Sequence, residues 1–228
     1  MTNQAEMDLE IVPEWWKEAR KVAFDTETTG VHPETAEVVE IALFRFDGPT
    51  EIGWSSRVKP KNPIPEGASK IHGIYDRDVV DAPPIETLRE RVVDTLKPPA
   101  LAVAYNGLHY DLPILQREIG AFEVTVIDPL VWVWKIDRYV SGKGRHKLTV
   151  AAARWGLKVD EMKAHGALYD ARLALEVADL AVRKAATHRN PEISRPTRSL
   201  HQFLEAQKRF AAEREADFKA FMEKRGRG

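Results

Sequence analysis

Val22-Ala-Phe-Asp25-Thr-Glu27-Thr-Thr-Gly30 reads as a short buried strand that runs into a polar turn. Side chains along a strand alternate between its faces, so Asp25 and Glu27 project to the same side. Two carboxylates placed in this way repel each other. Burying them unpaired is costly or forces one to take a proton. A hard cation removes both problems, and Mg²⁺ or Mn²⁺ prefers oxygen ligands. By itself the pair also fits two solvated carboxylates at a strand end.

Two further stretches narrow the reading. In His165-Gly-Ala-Leu-Tyr-Asp170-Ala the chain enters a segment, 167–187, that is rich in Ala, Leu, Arg and Glu. Free of Gly and Pro, this segment is expected to be a helix with Asp170 in its first turn. His165 then sits on the entering loop, with Gly166 as the bend, and reaches over the site that Asp170 lines. Ala104-Tyr-Asn106-Gly-Leu-His-Tyr-Asp111 follows an apolar run and opens a helix at Asp111-Leu-Pro113, where Pro suits the first turn. Taken singly, Asp111 fits an N-cap, Asn106 a turn former, and His165 with Asp170 a helix-terminus pair.

In this order and at these separations the three stretches resemble the DnaQ-like (DEDDh) 3′–5′ exonuclease superfamily, which includes the proofreading epsilon subunit of bacterial DNA polymerase III, ribonuclease T and oligoribonuclease. Phe24 to Gly30 carries its Phe-Asp-x-Glu-Thr-Thr-Gly motif, and His165, Ala167 and Asp170 its His-x-Ala-x-x-Asp motif. Lys70-Ile71-His72-Gly-Ile74 is similar to the His-Gly-Ile segment after the third strand. Gly144-Arg145-His-Lys147-Leu148, followed by Arg154-Trp-Gly-Leu157, is similar to the basic loop and the helix after it. Two positions depart: Tyr105 stands where His is usual, and Thr149 where Asp is usual. The similarity spans roughly residues 20–187, and the ordered set is far more specific than any one motif.

The resemblance implies a ribonuclease-H-like α/β fold, a mixed sheet flanked by helices. It implies two Mg²⁺ or Mn²⁺ ions per site held by Asp25, Glu27, Asp111 and Asp170, with His165 taking the proton from water. Thr28, Thr29, Gly30, Ile71, His72 and Asn106 are expected at the 3′-terminal nucleotide. Lys143, Arg145 and Lys147, on a loop made mobile by Gly142 and Gly144, are expected to hold phosphates. The activity implied is hydrolysis of single-stranded DNA, or of a frayed 3′ end, to nucleoside 5′-monophosphates, in proofreading or repair. An RNA-trimming exoribonuclease is the alternative. A non-catalytic nucleic-acid-binding module is a third reading, opposed by the presence of all five site residues.

The totals bound the rest. With 34 Lys and Arg against 35 Asp and Glu, the formal charge of −1 gives no global attraction to nucleic acid, so any attraction is local. No cysteine is present, which excludes a disulfide framework and a zinc–thiolate site. No apolar run is long enough to span a membrane, and Met1 to Glu10 is acidic rather than signal-like, so a soluble cytoplasmic protein is expected.

Along the chain, residues 1–20 read as a lead in which Trp15-Trp16 packs onto the domain. Residues 21–187 form the catalytic domain, 188–197 a proline-bearing linker, and 198–228 a long amphipathic helix. Strands are expected at 38–46, 50–58, 100–104 and 123–127, and helices at 84–97, 111–120, 129–139 and 148–156. Trp132 and Trp134 are expected in the core rather than stacked on bases. The stripe Leu200, Phe203, Leu204, Phe210, Phe218, Phe221 and Met222 is read as packing on the domain or on a second copy, ahead of docking to a polymerase. The helix is expected to be separate from the chemistry.

Overall fold

The computed structural model describes residues 12–142 and 144–225. Elements run in the order α1 (Glu14–Glu18), β1 (Lys21–Thr28), β2 (Val38–Asp47), β3 (Thr50–Arg57), α2 (Glu66–His72), α3 (Asp76–Val79), a 3-10 turn (Ile85–Leu88), α4 (Arg89–Leu96), β4 (Leu101–Val103), α5 (Asp111–Ile119), β5 (Thr125–Ile127), α6 (Pro129–Ile136), α7 (Leu148–Arg154), α8 (Ala167–Ala186), α9 (Pro191–Ser194), a second 3-10 turn (Arg195–Arg198) and α10 (Leu200–Arg225). The five strands form one sheet ordered β3-β2-β1-β4-β5. Hairpin-linked β1, β2 and β3 are antiparallel, whereas β4 and β5 join in parallel, as crossovers through helices require. Mixed sheet, flanking helices and long C-terminal helix match the expected class.

Period-2 alternation sorts β1 between two cores. Val22 and Phe24 pack with Leu96, Ile114 and Leu115 of α4 and α5. Ala23 faces the other way, onto Leu175 and Ala178 of α8. Asp25 and Glu27 therefore continue the α8 side, and Thr26 the α5 side. Ala171, Ala178, Ala181 and Ala185 give α8 a small-residue face in this second core.

Residues 188–197 differ from the linker expected. Asn190 caps α9 by accepting from Glu192 N at 2.9 Å, Pro191 follows at the first helical position, and Ile193 and Thr197 are buried. The two prolines punctuate helical turns here. The stripe on α10 is likewise divided. Phe203 and Phe210 are buried, with Phe203 stacked on Trp132 at 3.9 Å between centroids, whereas Phe218, Phe221 and Met222 are exposed. Lys135 on α6 is only 6% exposed at its side chain and bonds Glu213 of α10 at 2.7 Å and Glu192 of α9 at 3.0 Å. Among the described residues no helix is long and apolar enough to cross a membrane.

Candidate active site

Asp25 and Glu27 at the end of β1 meet Asp170 in the first turn of α8. One carboxylate oxygen from each lies within 4.8 Å of the other two. All three are partly buried. Burial pushes the Asp25 carboxyl well above the usual range, reinforced by Asp111, Glu27 and Asp170. Burial likewise raises Glu27, from 4.5 to about 8, with Asp170, Glu40 and Asp111 adding to it and Arg57 opposing. Burial raises Asp170, against the hydrogen bond from the His165 backbone. Oδ1 of Asp170 is buried without a hydrogen-bond partner. Three crowded carboxylates and an orphaned acceptor are a donor set that fits a hard divalent cation.

Asp111 begins α5 and approaches from the opposite side of β1. Its Oδ1 accepts from the backbone N–H of Thr26 at 3.0 Å and from the Thr26 hydroxyl at 2.6 Å. It is buried, and burial raises it to about 6 while those bonds pull it down. Asp111 thus stands outside the cluster of three, near enough to Asp25 to raise it.

His165 is exposed on the turn before α8, and its backbone N donates to Asp170 Oδ2 at 3.2 Å. The bend expected at Gly166 is made by His165 itself, whose φ is 66°, while Gly166 caps the helix at φ −113°. This holds His165 and Asp170 in one unit, and both line a cleft of about 1170 Å³. Asn106, Arg145 and Lys147 line the same cleft. Lys143 lies outside the described residues.

The remaining sequence-predicted contacts divide. Thr28 hydrogen-bonds Gly30 O and Tyr110 Oη, and the Thr29 hydroxyl accepts from Glu37 N at 2.9 Å, so both hydroxyls are engaged within the protein. Ile71 is exposed beside His72. His72 accepts from Ile74 N through Nδ1 at 3.0 Å and leaves Nε2 buried without a partner. Trp132 and Trp134 are buried, as expected of core residues. Tyr105, where the motif departs from its usual His, donates to His146 O at 2.6 Å and so ties the Asn106 loop to the basic loop.

Asp128 is the residue that the sequence did not single out. It is fully buried, and its carboxylate accepts from Asn106 N at 2.9 Å, Leu130 N at 3.0 Å and Leu108 N at 3.4 Å. It therefore caps α6 and shapes the turn that carries Asn106, whose φ is 65°. Gly107 belongs to the same turn; a Cβ there would fall 2.2 Å from that of Ala104. Gln207 of α10 bonds the backbone beneath it, accepting from Asp128 N at 2.8 Å and donating to Val126 O at 2.9 Å. The local signal was the Asp128-Pro129 pair, a cap followed by Pro at the first helical position. α10 also supplies Arg214 and Phe218 to the cleft that His165 and Asp170 line.

Residues 22–178 match the RNase_T family, described as Exonuclease. The chain is 32% identical over 185 residues to the protein titled Uncharacterized exonuclease CP81 of Escherichia phage 186, covering 75% of this chain and 92% of that one. It is 27% identical over 166 residues to the DNA polymerase III subunit epsilon of Rickettsia prowazekii, covering 69% and 72%. The chain spans only 11% of the PolC-type DNA polymerase III of Mycoplasma genitalium, to which it is 28% identical over 163 residues. Among solved structures, Exonuclease X in complex with 5′ overhanging duplex DNA shares the fold with a TM-score of 0.56 at 21% identity, covering 78% of this chain and 99% of that one.

Proposed function

This chain belongs to the RNase_T exonuclease family, and from that membership we propose that it is a metal-dependent 3′–5′ exonuclease acting on single-stranded DNA or a frayed 3′ end. The observation that carries the proposal is the convergence of Asp25, Glu27 and Asp170 within 4.8 Å, with Asp170 on the wall of a cleft that His165 also lines. Asp25, Glu27 and Asp170 would hold one Mg²⁺ or Mn²⁺ ion, and Asp25 with Asp111 a second; when bound, such ions neutralise the phosphodiester and activate water for in-line attack.

The chain's own residues do the rest. His165 accepts the proton of the attacking water from its exposed position beside Asp170. The bond from water oxygen to phosphorus forms as the bond to the 3′ oxygen of the preceding nucleotide breaks. A nucleoside 5′-monophosphate leaves, and the shortened strand keeps a 3′ hydroxyl. Thr26 fixes the Asp111 carboxylate from behind, and Asp128 fixes the turn of Asn106. Arg145 and Lys147 on the cleft wall are suited to backbone phosphates. DNA is favoured over RNA because the relatives include a DNA polymerase subunit and a neighbour in fold was solved on DNA. The epsilon relative also supports proofreading beside a polymerase.

The test uses matched DNA and RNA oligonucleotides labelled at the 5′ end, with Mg²⁺, with Mn²⁺ and with excess EDTA. A ladder that shortens from the 3′ end of DNA only with metal is expected. A ladder on RNA alone assigns the exoribonuclease reading. Undiminished cleavage by folded Asp25→Asn sinks the site.

A further inference from the structure

We propose that the distal half of α10 is part of the nucleic-acid site: with Tyr139 and residues 144–147, between α6 and α7, it forms a channel for the single strand upstream of the scissile bond. The proposal rests on the exonuclease reading above for the direction of the strand, and adds Tyr139, Arg214 and Phe218, which that reading does not use.

The cleft of about 1170 Å³ is lined by His165 and Asp170 and also by Arg214 and Phe218. Pockets that enclose small ligands measure about 300–1,000 Å³, so this one exceeds the need of a single nucleotide and is open along its length. Of the residues expected at the 3′-terminal nucleotide, Asn106 lines it, whereas the segments Thr28 to Gly30 and Ile71 with His72 do not. With the terminal nucleotide on those segments, the cleft receives the portion on the 5′ side.

Its lining has the chemistry of a strand-binding groove. Arg145, Lys147 and Arg214 form no salt bridge among the described residues, whereas Arg138 is taken up by Asp217 at 2.8 Å and by Glu213 at 3.5 Å. That pairing also neutralises Asp217, which leaves Glu215 as the one α10 carboxylate of the lining without a salt bridge among the described residues. Beside these cations stand two aromatic rings open to solvent, Tyr139 at 93% and Phe218 at 64% exposure. The core stripe of α10 ends at Phe210, and Phe218 lies about 12 Å further along the axis, so it contributes nothing to that core. Cations that follow a backbone, alternating with ring faces that stack bases, are the means by which single strands are held without regard to sequence. Neighbouring Lys219 is exposed and does not line the cleft.

The test compares two substrates and one binding measurement. The substrates are a 5′-fluorescein oligothymidylate of about twelve nucleotides, within the span of known single-strand sites, and the p-nitrophenyl ester of thymidine 5′-monophosphate, which has no upstream nucleotide. Phe218→Ala, Tyr139→Ala and Arg214→Ala are each expected to raise KM for the oligonucleotide relative to the ester, by about fivefold or more for a stacking ring. Fluorescence anisotropy in EDTA is expected to show the same loss of affinity. For Arg214→Ala, the salt slope falls by about 0.7, one phosphate contact on a single strand. Phe218→Trp restores the ratio, and Lys219→Ala leaves it as in the wild type. Unchanged ratio and affinity in Phe218→Ala and Arg214→Ala overturn the channel. So does an equal loss on both substrates, which points to general damage. A wild-type protein that turns over neither substrate with Mn²⁺ counts against the exonuclease reading, and the anisotropy arm then decides the channel by itself.

Discussion

Raising the pH should loosen the metal-free protein, and a divalent cation should restore it, with Glu27 as the residue that reports both. Its carboxyl titrates at about 8 in the folded chain against 4.5 in the free side chain, chiefly through burial and then through Asp170 and Glu40. An acid raised in this way favours the folded state at low pH, and its contribution is lost as the pH climbs through the folded value. At roughly 1.4 kcal/mol per pH unit, and discounted for partial exposure, the loss between about pH 5 and about pH 8 is on the order of 3 kcal/mol. For a chain of this size that corresponds to a fall in Tm of about 6–12 °C. His72 and His146, lowered by burial, act in the opposite direction, their destabilisation at low pH being relieved as the pH rises to about 6.5. The comparison with Glu27→Gln isolates the carboxylate from them. The assay is thermal unfolding across this range in EDTA and in Mg²⁺ or Mn²⁺. In EDTA the wild type should lose stability relative to Glu27→Gln as pH rises. Metal should recover the wild type most at the alkaline end and help the variant little. Parallel pH profiles for the two proteins in EDTA, or equal stabilisation of both by metal, would refute the reasoning.

Four further outcomes are expected. His165→Ala should lose turnover by about 10²–10⁴-fold while calorimetry shows metal affinity retained; collapse of metal binding with a normal rate per bound ion would make His165 a ligand. Arg145→Ala with Lys147→Ala should weaken single-strand binding and flatten its salt slope by about 0.7 per lost phosphate contact, and an unchanged slope makes the loop a bystander. Asp128→Ala strands the N–H groups of Asn106, Leu108 and Leu130, each costing about 1–3 kcal/mol in urea unfolding, whereas Asp128→Asn keeps an acceptor and should lose less. Phe203→Ala, removing the ring stacked on Trp132, should cost about 3–5 kcal/mol; a loss well under 1 kcal/mol would mean that α10 adds little to the core.

What could be read from the sequence was what strand and helix periodicity encode. The alternation of β1 put Asp25 and Glu27 on one face, and the run after Gly166 made a helix that begins beside them. The separation of Asp111 from the three-carboxylate cluster was not legible, because it depends on which side of β1 carries α5. Asp128 escaped because its meaning lies in contacts with Asn106 and Gln207, 22 and 79 positions away. The seven apolar residues of α10 fitted one helical face, but periodicity does not reveal where along its length a helix leaves its support. Pro191 and Pro196 fit a loop as well as a first helical turn, and only the structure decides for the turn.

The side-chain amide of Gln207 has a second meaning for the sheet. β5 is its outermost strand on one side, three residues long, and an outer strand offers unpaired N–H and C=O groups to any extended chain that approaches. Gln207 donates to Val126 O and accepts from Asp128 N, the two groups that a single residue of a parallel neighbour would engage. One carboxamide thus imitates one peptide unit of a sixth strand and terminates the ladder. Glu in its place would offer two acceptors when ionised and no donor for Val126 O. Such a chain would open that margin to β-augmentation by other polypeptides, a route to self-association independent of catalysis.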